Sequence, residues 1–122
     1  MMYKTPKMEK HEQLVKTSYK YMYWSCAQQL THHALTGCNM QPGDVLGSGT
    51  ISGPEKHEFG SMLELNWGGR DDIALPNGET RKFALDGDSL NIQGCAHRNG
   101  KKIGFGDCEG TILPAWPESE YF

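Results

Sequence analysis

The stretch "DGDSLNIQGCAHRNGKKIGFG", Asp86 to Gly106, decides the fold class. It opens on the turn sequence Asp86-Gly87-Asp88 and is interrupted at Asn99-Gly100, a dipeptide suited to tight turns with left-handed backbone. The segments between the turns, "SLNIQGCA" and "KKIGFG", read as short strands, and "RKFAL" just upstream reads as another. Glycine supports a turn-rich β architecture, at 15 of 122 residues against a usual share of roughly 7%.

The same signals continue toward the N-terminus. In "MLELNW" the residues Leu63, Leu65 and Trp67 alternate with Met62, Glu64 and Asn66, which predicts a strand with Glu64 opposite an apolar face. Gly68-Gly69 and Asn77-Gly78 are hairpin-type turns, and Pro42–Asp44 turns into a short strand at Val45 and Leu46. Ser25 and Gln28 have the spacing of a capping box, so a helix starts there, carries Ala27, Leu30 and Ala34 on one stripe, and stops at Gly37. Before it, "TSYKYMYW" alternates its aromatics and reads as a strand; a rival reading joins Val15, Tyr19, Met22 and Cys26 into one longer helix. Residues 1–15 show no period and read as a loose or partly helical lead-in. The expected fold is mostly β with one α-helix, in one domain.

A formal charge of −3 offers no electrostatic footprint for nucleic acid, and no apolar run has the length of a membrane helix. The N-terminal lysines alternate with Glu9 and Glu12 and read as solvated surface, with no secretory core, so the expected location is the cytoplasm. Cys26, Cys38, Cys95 and Cys108 form no C-x-x-C pair and read as free, packed thiols.

Five groups of residues are of types that can carry chemistry. His32 and His33 are adjacent, so a helix points them about 100° apart, and surface plus one packed imidazole is the simpler reading. Glu55, His57 and Glu58 are all ligand types, but they follow Gly-Pro in a solvated loop; Glu118 and Glu120 lie in the tail. No metal ligands are assigned. Thr50, within "GSGTISG", is either a turn threonine or a hydroxyl on exposed backbone suited to a carboxylate. Glu64 is either a solvent-facing carboxylate or the acceptor that fixes a histidine tautomer for general-base work.

The segments "KYMYWSCAQQLTHHALTGCNMQPGDVLGSGTISGPE", "FGSMLEL", "RKFALDGDSL" and "IGFGDCEG" together resemble the C-terminal part of the fumarylacetoacetate hydrolase family, over Ser18 to Pro114. Within it, "QQLTHH" and "GTISGPE" narrow the likeness to the branch that ends tyrosine and phenylalanine breakdown. The resemblance implies part of a mixed β-roll and a homodimer. It also implies hydrolysis of a carbon–carbon bond in a small β-diketone acid, giving fumarate and acetoacetate. In such enzymes a histidine activates water, a glutamate orients it, and Mg²⁺ or Ca²⁺ polarises the substrate. By motif, Thr50 matches the substrate-contacting threonine and Glu64 the orienting glutamate. The family's histidine, metal ligands and further substrate-binding side chains lie upstream of the matched region. Residues 1–17 are therefore read as an unmatched lead-in, 18–114 as part of a catalytic domain and 115–122 as a divergent tail. The chain reads as a partial enzyme, inactive alone and prone to self-association, or else as a non-catalytic binding or dimerisation module.

Overall fold

The computed structural model describes residues 1–120. Its spine is a long antiparallel hairpin, and the hairpin is extended on one side by two short strands from the N-terminus. In chain order these are β1 (Met2–Lys4), β2 (Glu12–Gln13), β5 (Ser89–Arg98) and β6 (Lys101–Thr111), arranged β2-β1-β5-β6. Between them come helix α1 (Cys26–Leu35), the single-turn helix α2 (Met62–Leu65) and a small hairpin of β3 (Ile73–Ala74) and β4 (Thr80–Arg81). The mostly β reading with one main helix holds.

The Asn99-Gly100 turn forms as its chemistry requires. Both residues are left-handed, at φ 51° and 74°, which brings Arg98 opposite Lys101. Asn77-Gly78 likewise closes the β3–β4 hairpin, with Gly78 N–H donating to the Leu75 carbonyl at 3.0 Å. Helix α1 begins at the expected capping box. Ser25 Oγ accepts from Gln28 N at 3.3 Å, and Gln28 Oε1 accepts from Ser25 N at 2.9 Å.

Several expectations fail, for local reasons. "MLELNW" is not a strand: Ser61 Oγ caps Glu64 N at 3.3 Å, and Leu65 N and Asn66 N donate back to Ser61 and Met62. Helical spacing buries Leu65 and leaves Leu63 and Trp67 exposed, so these three share no apolar face. Gly68-Gly69 makes no hairpin; with Trp67 at φ 52° it ends α2 in left-handed backbone. "TSYKYMYW" forms a 3-10 turn at Tyr19–Tyr21, with Tyr21 N–H donating to the Ser18 carbonyl at 3.1 Å. Val45 and Leu46 turn at Pro42–Asp44 but form no strand, and of the region around "RKFAL" only Thr80–Arg81 pairs.

The lead-in is structured. Tyr3 pairs with Leu90 of β5 and is among the most buried side chains, and Val15 joins Leu65 and Ile73 in the apolar cluster. Beneath Tyr3 lies a polar core. Asp88 has no exposed surface and accepts from Tyr3 Oη at 2.5 Å, from Arg81 Nε and Nη2 at 2.8 and 3.1 Å, and from Leu85 N at 2.9 Å. Every donor facing that carboxylate is matched, as burial of a charge demands.

Beyond Asn91 the long hairpin leaves the core, and both of its strands are exposed to the tip. Helix α1 buries no residue either, so His32 and His33 are both exposed and neither is packed. All four cysteines are exposed free thiols, not packed ones.

Candidate functional site

Thr50 and Glu64 are separated by a glycine. The loop from Gly47 enters at Gly49, whose φ of 77° suits a residue without Cβ, and then passes over Gly60. A Cβ built on Gly60 would lie 2.5 Å from the Thr50 methyl and would overlap the Ile51 carbonyl oxygen. Only glycine permits that approach. On its other side, the Gly60 N–H donates to Glu64 Oε2 at 3.0 Å and to Ser52 Oγ at 3.0 Å.

Ser52 completes the arrangement by donating its hydroxyl to Glu64 Oε2 at 2.5 Å. One carboxylate oxygen therefore carries two donors, while Oε1 accepts no hydrogen bond among the described residues. Glu64 itself sits in the first turn of α2, held by the Ser61 cap. The side chain is exposed, fixed at one oxygen and open at the other. Hydrogen bonds of this kind hold a carboxyl group in a defined orientation.

Gly60 also lines a cavity of about 510 Å³ bounded by Val15, Lys16, Ile92, Gln93 and Cys95. Thr50 and Glu64 are not part of its lining and border it only through Gly60. The sequence singled out the two outer residues; Ser52, Gly60 and Ser61, which join them, went unassigned. Ser61-x-x-Glu64 is a helix-start spacing that would have marked the cap.

The other groups lie elsewhere. Lys56–Glu58 is a 3-10 turn, and Glu58 is engaged: Oε1 accepts from Tyr21 Oη at 2.8 Å, and the backbone carbonyl accepts from Gly53 N. Among the described residues no three His, Cys, Asp or Glu side chains converge in a way that would hold a metal ion. A divalent cation needs such a convergent set of oxygens, so these residues alone do not fit Mg²⁺ or Ca²⁺.

Residues 8–113 match the sequence profile described as fumarylacetoacetate (FAA) hydrolase, C-terminal. The chain belongs to the fumarylacetoacetate hydrolase family. The match starts at residue 8, inside the stretch read as lead-in. Curated relatives include the fumarylacetoacetase of Homo sapiens, 59% identical over 102 residues, which cover 84% of this chain and 24% of that protein. That of Dictyostelium discoideum is 54% identical over 114 residues, 92% of this chain and 27% of the relative. The Oryza sativa subsp. japonica protein is 44% identical over 113 residues, 92% and 26%. The chain thus spans about a quarter of the length of the fumarylacetoacetase sequences it matches.

Proposed function

We propose that these 122 residues supply one wall of a fumarylacetoacetase active site, hydrolysing the carbon–carbon bond of fumarylacetoacetate to fumarate and acetoacetate. The observation that carries the reading is the asymmetric bonding of Glu64. Its Oε2 accepts from Ser52 and Gly60, and among the described residues Oε1 is free to accept one further N–H. An imidazole donating to Oε1 is held in one tautomer, with its other nitrogen available to take a proton from water. Glu64 is then a positioning residue, and the histidine comes from outside these residues. Thr50, across Gly60, contributes a hydroxyl to the substrate. The metal ligands likewise come from elsewhere, and no step of the reaction is assigned to a metal on these residues.

The relatives' names and the family match support the substrate class, a small keto acid. A homodimer and a cytoplasmic location are part of the same proposal. The exposed ribbon residues Ile92 and Phe105 favour one further role, in subunit contact, which is compatible with catalysis.

The test is a chimera in which this chain replaces the corresponding quarter of the human enzyme. The chimera should consume fumarylacetoacetate, followed by loss of substrate absorbance, while the isolated chain should not. Glu64→Gln should lower kcat by at least about tenfold, since general-base catalysis is worth roughly 10²–10⁴-fold, with KM little changed. Thr50→Val should raise KM. A folded chimera whose Glu64→Gln form keeps full kcat would overturn the proposal.

A further inference from the structure

The tip of the β5–β6 hairpin carries a charge pattern that the fold itself does not use. Between Asp88 and Asp107 the sequence contains no Asp or Glu, yet it places His97, Arg98, Lys101 and Lys102 within six residues, in a chain of net charge −3. The ladder register sets Arg98 directly opposite Lys101 and His97 directly opposite Lys102. Direct cross-strand neighbours have Cβ atoms about 4.5–5.5 Å apart, and like charges at that separation destabilise a hairpin. Among the described residues Arg98, Lys101 and Lys102 have no carboxylate partner; the ion pairs involve other side chains throughout.

Ala96, Arg98, Lys101 and Ile103 share one face of the ribbon, and with His97 and Asn99 they border a shallow hollow of about 370 Å³. All six lining residues are exposed.

We infer that this hollow is an anion site for a phosphoryl group. A guanidinium offers a planar fork of donors and an ammonium a compact charge, and a phosphate placed between them is met from two sides. A divalent anion relieves both the repulsion across the ladder and the absence of an internal counter-charge. The exposed Ala96 and Ile103 on the same face give apolar contact to a small uncharged body attached to the phosphate. The site is distinct from Thr50 and Glu64 and does not depend on their role.

The test uses the whole 122-residue chain, isotope-labelled, titrated with inorganic pyrophosphate at ionic strength held constant with sodium chloride. The inference predicts saturable amide shifts confined to residues 96–103. In Arg98→Gln/Lys101→Gln the affinity should fall at least tenfold. That variant should also melt higher than the parent without ligand, because the facing charges are gone, and its melting temperature should no longer rise with pyrophosphate. A second arm adds vesicles of phosphatidylcholine with phosphatidic acid. Saturation by free pyrophosphate without retention on vesicles identifies a soluble phosphate ligand; retention lost in the double variant identifies a lipid headgroup. Shifts that follow salt alone, or that persist unchanged in the double variant, overturn the inference.

Discussion

Removing the buried carboxylate of Asp88 is the sharpest test of how the N-terminal strands are joined to the rest. Asp88→Ala deletes the acceptor for four donors: Tyr3 Oη, Arg81 Nε, Arg81 Nη2 and Leu85 N. The Arg81 side chain is only 11% exposed and Tyr3 is 1% exposed, so water cannot readily replace the lost partner. Breaking a buried pair from one side costs about 3–5 kcal/mol, chiefly because the surviving charge is stranded. That is a large share of the roughly 5–15 kcal/mol that stabilises a typical domain. With a urea slope of about 1–3 kcal/mol per molar, the midpoint followed by circular dichroism should fall by more than about 1 M. Tyr3→Phe removes one donor and leaves the ion pair, so it should cost less, about 1.5–3 kcal/mol, the value of one bond to a charged group. The double variant should cost less than the sum, since both changes remove the same bond. An Asp88→Ala midpoint within about 0.3 M of the parent, outside the range this slope implies, would refute the reasoning.

Acid should loosen the same region in a defined order. Hydrogen bonds from Thr5 and Asn77, with Lys7 nearby, hold Glu79 down to about 2 from the ordinary 4.5. Burial raises the Asp88 carboxyl, but the bonds from Arg81 and Tyr3 outweigh it, and the net shift is also downward. For depressed acids the stabilisation is complete above the ordinary carboxylate range and is lost as pH falls through the folded value. Melting temperature should therefore hold at neutral pH, decline below about pH 4.5 and keep falling to about pH 2; Glu79→Gln should make that decline shallower throughout. Gly60→Ala should unfold the loop at 50–51 or displace it, because the added methyl overlaps the Ile51 carbonyl, and proteolysis within residues 47–60 should accelerate. Ser61→Ala should destabilise the chain by about 1 kcal/mol through loss of the α2 cap, read by urea denaturation.

Much of the fold was legible where local chemistry decides it. Ser25 with Gln28 marked the start of α1, and Asn99-Gly100 and Asn77-Gly78 marked their turns, because capping and left-handed backbone depend on neighbours in sequence. The failures occurred where one short segment fits two periods. Leu63, Leu65 and Trp67 alternate like a strand, yet the four residues after the capping Ser61 make a helical turn, which the Ser61-x-x-Glu64 spacing and the burial of Leu65 alone distinguish from a strand. β1 and β2 exist because β5 offers a pairing edge some 85 residues away, the separation of Tyr3 from Asp88, which no window on residues 1–15 contains. Of the site, Thr50 and Glu64 were identified by resemblance. Their connection through Gly60 required coordinates, since a glycine in a loop does not announce which backbone passes over it.

The closeness of Thr50 to the glycine that also binds Glu64 can be measured without any assay of function. In a ¹³C,¹⁵N-labelled chain, nuclear Overhauser contacts from the Thr50 methyl to the Gly60 protons should be strong, alongside those of the Val15–Leu65 core. A spectrum that shows the core contacts but none between Thr50 and Gly60 would contradict the shared wall on which the proposed function stands.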